Sequence, residues 1–183
     1  MSLTRTIALL TALFAALFAG CATAPATHAE RESLQTSARA TLDEMIARNP
    51  GIQDTIRNVP GYAVFPSIGK GGMLVGGAHG QGILYEHGVP TGFVSVQQAS
   101  IGAQLGGQTF SQLLVLRTPQ QVANVKAQRF TAGADLGVVV LSTGAGTQTN
   151  FNPNASVYVL PRGGLMVDIS VNGQRIKYQS FSA

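Results

Sequence analysis

Tryptophan is absent from the 183 residues, and cysteine occurs once, as Cys21. A single cysteine excludes an internal disulfide and any zinc site built on cysteine pairs. Histidine is scarce as well. His28, His79 and His87 are the only three, and no His-x-x-His or His-Glu-x-x-His spacing sets two of them up as metal ligands. Charged residues make up 11% of the chain and the formal net charge is +4, so the clustered basic stripe of a nucleic-acid-binding protein is missing. The one long apolar run, from Ile7 to Gly20, falls short of the roughly 20 residues a membrane-crossing helix wants. There is no Gly-x-Ser-x-Gly elbow; a serine triad would have to be assembled from His79 or His87 with Asp135 or Asp168, and no spacing favours it. The expectation is a protein without catalytic residues, metal or cofactor, in which His79 is a structural polar residue and Glu86 a turn-flanking surface charge.

Glycine, by contrast, is abundant, with 22 residues, and it concentrates between Gly61 and Glu86. There β-forming residues (Tyr62, Val64, Phe65, then Met73 to Val75, then Ile83 to Tyr85) alternate with glycines. A phosphate-binding loop is excluded: Val64 stands where a Walker loop needs its first glycine, and Gly71 where it needs Ser or Thr. A dinucleotide fingerprint begun at Gly69 fails at Leu74. Glycine within strands allows bulges, bends and close backbone approach, so this window predicts a strongly curved sheet.

Residues 1–20 carry one charge, Arg5, ahead of the apolar run, and read as a secretory signal that ends at small residues. The end of that run, Leu17-Phe18-Ala19-Gly20-Cys21, resembles the bacterial lipobox, which implies a lipid-acylated Cys21 and cleavage just before it. The alternative is an ordinary signal cut nearby, for instance after Ala24. Ala22, where an inner-membrane lipoprotein of enteric bacteria carries aspartate, implies the periplasmic face of the outer membrane. Removal of Arg5 with the signal leaves eleven basic residues against eight acidic ones, a small excess that favours an anionic surface such as phospholipid headgroups.

The remaining 163 residues suffice for one domain. Residues 21–29 read as a linker containing an inert His28, and the domain spans 30–183. Leu34, Ala38, Leu42, Met45 and Ile46 recur at helical steps over Glu30 to Asn49, with Arg39–Asp43 and Glu44–Arg48 on the solvated face. This helix is expected to pack on the sheet in preference to lying on a bilayer. A short turn of helix follows from Gly51 to Asn58. Thr118-Pro119 starts a helix to Gln128 that buries Val122 and Val125. Extended segments are expected at Gly92 to Gln104, Gln108 to Arg117 and Phe130 to Ser142, with Leu113 to Leu116 as a central strand and a polar loop from Thr143 to Asn154. Asn172-Gly173 predicts a two-residue hairpin between Leu165–Val171 and Gln174–Tyr178, pairing Asp168 with Lys177 and Ile169 with Ile176. The whole reads as α+β: a curved, mainly antiparallel sheet or small barrel covered by the amino-terminal helix and the second short helix.

The stretch from Ile56 to Leu84, followed in order by Ser100 to Gln108, Phe130 to Asp135 and Gly164 to Val167, resembles the SYLF domain family. Eukaryotic members bind phosphoinositides and, in fungi, actin filaments, so the resemblance implies membrane-lipid binding in general. It departs in lacking a tryptophan near Val89 to Phe93, and in having Asp168 where a small residue is common. The headgroup-binding residues proposed on this reading are Lys70, Lys126, Arg129, Arg162, Arg175 and Lys177. Their convergence near an apolar groove would favour a phospholipid partner. A bare strand edge would favour the alternative, a structural envelope protein binding a protein or peptidoglycan; a periplasmic hydrolase is the least favoured reading.

Overall fold

The computed structural model describes residues 23–72, 75–101, 106–132, 137–141, 147–149, 155–164 and 173–182. Helix α1, His28–Arg48, opens with a capping box: the Thr27 hydroxyl accepts from the Glu30 amide and the Glu30 carboxylate accepts from the Thr27 amide. The helix therefore begins two residues earlier than expected and takes in His28. Ahead of it, Ala24 and Pro25 are buried, and Arg31 Nε donates to the Pro25 carbonyl at 3.0 Å. The amino-terminal stretch is thus folded onto the domain, where the sequence suggested a plain linker.

Asn49 ends α1 in extended conformation, and its side chain accepts from the Gly51 amide, starting α2, Gly51–Arg57. The third helix, α3, Pro119–Lys126, has a second capping box, Thr118 with Gln121, and buries Val122 and Val125 as expected. Together they flank nine strands: β1 Gly61–Gly72, β2 Val75–Glu86, β3 Val89–Ile101, β4 Gly106–Leu116, β5 Thr131–Ala132, β6 Gly137–Val140, β7 Thr147–Thr149, β8 Ala155–Gly164 and β9 Gln174–Ser180. Their order is β5-β9-β3-β2-β1-β4-β8-β6-β7, antiparallel except for β6 on β8. The curved, mainly antiparallel α+β architecture is as expected, as a curled open sheet rather than a closed barrel among the described residues.

From Tyr62 to Phe65 strand β1 alternates, and that alternation makes two cores. Tyr62 and Val64 face α1 with Ile83, Phe93, Leu113, Val115 and Leu160; Ala63 and Phe65 face α3 with Leu84, Val94, Phe110, Leu114 and Ile176. Burial on both faces is why β4 reads as a continuous apolar run, Leu113 to Leu116, all fully buried. Helix α1 seats Ala38, Leu42 and Met45 in the first core and leaves most of its surface in water, so it packs on the sheet.

A bulge interrupts β1 between Val64 and Ser67, and β2 meets it with glycine. A Cβ on Gly82 would overlap the Val64 carbonyl oxygen; one on Gly80 would lie 2.6 Å from the Ser67 carbonyl oxygen. The bulge is held from the other side as well. Ser111 Oγ donates to the Pro66 carbonyl, Arg162 Nε donates to Ser111 Oγ at 2.7 Å, and Arg162 pairs with Glu44 of α1 at 2.6 Å.

Three expectations differ in detail. The sequence reads His87 to Pro90 as a break between strands; in the structure His87–Gly88 is a two-residue hairpin turn with φ of 49° and 82°, and β3 starts at Val89. The polar stretch 143–154 contains β7, an edge strand. The first arm of the Asn172-Gly173 hairpin, with Asp168 and Ile169, lies outside the described residues. Gly173 has the positive φ, 75°, that such a turn asks for, but Arg175 lies opposite Gln97 on one side and Thr131 on the other, and Lys177 lies opposite Ser95. Ile176 is likewise flanked on both sides: it is opposite Val96, and its amide donates to the Phe130 carbonyl. At Arg175 and Ile176, then, distant segments flank β9 on both sides.

Candidate functional site

The α1 face of the sheet is wider than α1. Beyond the amino-terminal half of the helix it continues as polar cross-strand rows. One row runs Ser67, Gln81, Ser95, Lys177 across β1, β2, β3 and β9; the next runs Thr109, Gly69, His79, Gln97, Arg175 across β4, β1, β2, β3 and β9. His79, Thr109 and Arg175 are exposed. Among the described residues the Ser95 hydroxyl is buried without a hydrogen-bond partner, an uncommon and costly condition for a buried polar atom.

Where α1 leaves the sheet, a cleft of about 570 Å³ opens between the docked Ala24–Ala26 segment, Leu34 and Ser37 of α1, and Pro66, Ser67 and Gln81 of the sheet. Ser67 and Gln81 belong to the row that ends at Lys177. Two strand spacings, roughly 10 Å, separate Gln81 from Lys177. A cleft of mixed lining, with Glu30 and Ser33 of α1 also on its wall, thus shares one face with the cations of β9.

The six basic residues expected to meet headgroups divide into two sets. Arg175 and Lys177 are successive outward positions on β9, and Arg129 is exposed just before Phe130, whose carbonyl accepts from the Ile176 amide. None of these three forms an ion pair among the described residues. The others do not join them. Lys70 is 4% exposed on the α3 face, in a row with Gln108, Ala78 and Gln98. Arg162 is engaged by Glu44 and Ser111. Lys126 pairs with Glu86 at 3.0 Å, and its ammonium lies 5.9 Å from the centre of the Tyr178 ring. Burial pushes the Glu86 carboxyl up, but hydrogen bonds from Lys126 and Thr91 together with the lysine charge outweigh it, so the group sits below its ordinary range. The same Glu86 hydrogen bond raises Lys126, and the hydrogen bond from Arg162 lowers Glu44.

No cluster of three His, Cys, Asp or Glu side chains occurs among the described residues. His79 and His87 are both exposed, on the β2 face and in the hairpin turn. None of the described helices is long and apolar enough to cross a membrane, which leaves open what strands could do. Sequence reading missed the docked residues 24–26, although Thr27-x-x-Glu30 is a legible capping-box signature. It also missed the Tyr62–Tyr85 stack, which no spacing announces because hydrogen-bonded strands bring the two together.

The fold and this face define an α+β domain with an exposed polar sheet surface, an adjoining cleft and a small basic strand. Residues 97–180 match the family described as Ysc84, Las17-binding protein actin regulator, in keeping with the SYLF-family resemblance of the sequence. That match takes in β4, α3 and β5 to β9, including the later segments that carry the resemblance. Strands β1 and β2, which hold the Ile56–Leu84 stretch from Gly61 onward, are at the centre of the same sheet. No curated protein gives a significant match to the chain.

Proposed function

We propose that the protein is a non-catalytic, lipid-anchored envelope protein whose SYLF-family domain binds anionic phospholipid through the α1 face of β9. The observation that carries this reading is the placement of Arg175 and Lys177 side by side on the face that also holds the cleft, next to the buried Ser95 hydroxyl, with Arg129 exposed just ahead of the neighbouring strand β5. Three cations on one edge give a salt-sensitive attraction for headgroups, worth about 1 kcal/mol per basic residue near an anionic surface. The family supports the class of ligand, being one of lipid- and actin-binding domains. Acylation of Cys21 would hold the domain at the periplasmic face of the outer membrane. Lys70, Lys126 and Arg162 are left out of the proposed contact because their own neighbours account for them.

Among the described residues the outermost strands β5 and β7 span two and three residues and offer few backbone groups, so partner binding through a strand edge finds less support there. The test is co-sedimentation of the chain from Ala22 onward, without the anchor, with zwitterionic and anionic vesicles at low and physiological salt. Binding should require anionic lipid, weaken with salt and fall by about tenfold or more when Arg175 and Lys177 are both changed to alanine. Absence of binding under every condition would refute the lipid reading and leave a protein or peptidoglycan partner.

A further inference from the structure

A second site lies along the other flank of α1. A cavity of about 440 Å³ is walled by Tyr62 and Tyr85 on the sheet, Pro90 beyond the β2–β3 turn, and Gln35, Arg39 and Asp43 on the helix. Tyr62 and Tyr85 stack with centroids 4.9 Å apart and planes 10° from parallel. A neighbouring cavity of about 290 Å³ is walled by Phe93 and Phe181, packed edge to face at 4.7 Å, and shares Gln35 with the first. The two form one groove, with aromatic rings along the sheet side and planar polar groups along the helix side.

The polar groups are uncommitted. Gln35, Arg39 and Asp43 are four residues apart on one helix flank, yet Arg39 and Asp43 form neither an ion pair nor a hydrogen bond, and Gln35 makes no side-chain hydrogen bond, among the described residues. Both charges are felt at Tyr85: burial first, then Tyr62 and Asp43, push its hydroxyl up to about 12, with Arg39 opposing. Because Arg39 is offset by Asp43, and Arg31 by Glu32 in the neighbouring cavity, the groove selects neither an anion nor a cation. An acidic headgroup would meet Asp43, and an apolar chain would strip water from three polar side chains with nothing in return. A ligand that matches has apolar C–H faces to lie against rings and neighbouring hydroxyls that donate to a carboxylate, accept from a guanidinium and do either with an amide. Those are the features of a pyranose, and a cavity of this size is within the usual range for small-ligand pockets.

We propose that the groove between α1 and the β2–β3 hairpin binds a short neutral oligosaccharide, with Tyr85 as the aromatic platform and Gln35, Arg39 and Asp43 as the hydroxyl-recognising groups. This site is separate from the basic edge of β9, and neither reading depends on the other.

The test uses the full chain in a detergent without a sugar headgroup, titrated with β-1,4-linked tetramers of glucose and of N-acetylglucosamine. With no tryptophan and only four tyrosines in the chain, two of them in the groove, tyrosine emission is a direct readout alongside calorimetry. At least one tetramer should give a saturable change at millimolar concentration, and which one responds tells whether the acetamido group is read. Tyr85→Ala and Asp43→Asn should each weaken that binding by about tenfold, and Tyr85→Phe, which keeps the ring, by about threefold or less. Asp43 is on the helix surface, so Asp43→Asn separates lost recognition from lost folding. No saturable response to either sugar, or unchanged binding in both Tyr85→Ala and Asp43→Asn, would overturn the proposal.

Discussion

Changing Gly82 to alanine adds one methyl group, and the structure assigns that methyl a place already taken. At the β1 bulge two residues, Phe65 and Pro66, fill a stretch that β2 spans with Gly82 alone, which draws the Val64 carbonyl over the Gly82 Cα. The new Cβ would overlap that carbonyl oxygen and come within 2.8 Å of Phe65 Cδ1, a ring that is fully buried. Backbone carbonyls on a central strand cannot rotate away without breaking the ladder, so relief means moving β1 against β2. Overpacking of a core by one or two carbons costs about 1–3 kcal/mol, and the backbone clash puts Gly82→Ala at the upper end, about 3 kcal/mol. The control is Gly69→Ala on β1, where a Cβ meets nothing within 4 Å. There the gain in strand propensity and the less flexible unfolded chain should stabilise by about 0.5–1 kcal/mol.

Urea unfolding followed by circular dichroism and tyrosine emission measures both. With a slope of about 2 kcal/mol per molar urea, the Gly82→Ala midpoint should fall by roughly 1.5 M and the Gly69→Ala midpoint rise by roughly 0.3–0.5 M. Opposite signs for one chemical change on adjacent strands would show that glycine in this stretch serves close backbone approach at particular positions. Equal midpoints for Gly82→Ala and the wild type would refute the reasoning, because the clash would then have been absorbed without cost.

Two further outcomes follow from the side-chain ties. Ser111→Ala removes the donor to the Pro66 carbonyl and the acceptor for Arg162 together, so it should destabilise by about 1–3 kcal/mol in the same assay; Ser111→Thr, which keeps the hydroxyl, should recover part of that loss. The Glu86–Lys126 pair, partly exposed, contributes about 0.2–1 kcal/mol. Glu86 is depressed in the folded state, so its share is present above the ordinary carboxyl range and lost as pH falls through its lowered value; Lys126 is raised, so its share holds below the ordinary lysine range and is lost as pH rises through its raised value. The stability difference between wild type and Lys126→Gln should therefore be flat from about pH 5 to about pH 10 and shrink beyond either end; a difference independent of pH throughout would show that the pair contributes nothing.

What was legible in the sequence was local. Thr118-Pro119 marked the start of α3, Asn49-Pro50 the break after α1, Leu113 to Leu116 a strand covered on both sides, and the glycine window a bent sheet. Each is decided within a few residues by capping, by period or by steric room. The partners of the charged residues were not legible, because strand order decides them. Arg162 finds Glu44 across 118 positions, Lys126 finds Glu86 across 40, and Gln112 exchanges amide hydrogen bonds with Gln174 across 62. A list of cations read along the chain therefore cannot tell a committed one from a free one. The same reason hid the neighbours of β9: Asn172-Gly173 announces a turn, while β3 and β5 flank Arg175 for reasons set by the whole sheet.

The docked amino-terminal segment changes what weak binding could accomplish. Ala24 is buried in the core beneath α1, so only three residue steps, at most about 10 Å of chain, separate it from Cys21. In the proposed arrangement an acyl anchor on Cys21 would set the α1 face close to the bilayer, and Lys177, roughly 10 Å from the cleft edge at Gln81, would be within reach of the surface. Tethering makes the second contact intramolecular, so its effective concentration rises to the millimolar range that short linkers give. Three basic side chains whose own affinity for headgroups is slight would then suffice to orient the domain. The helix flank carrying Gln35, Arg39 and Asp43 lines the opposite side of α1 from the cleft and would stay open to ligands while the domain is held at the membrane.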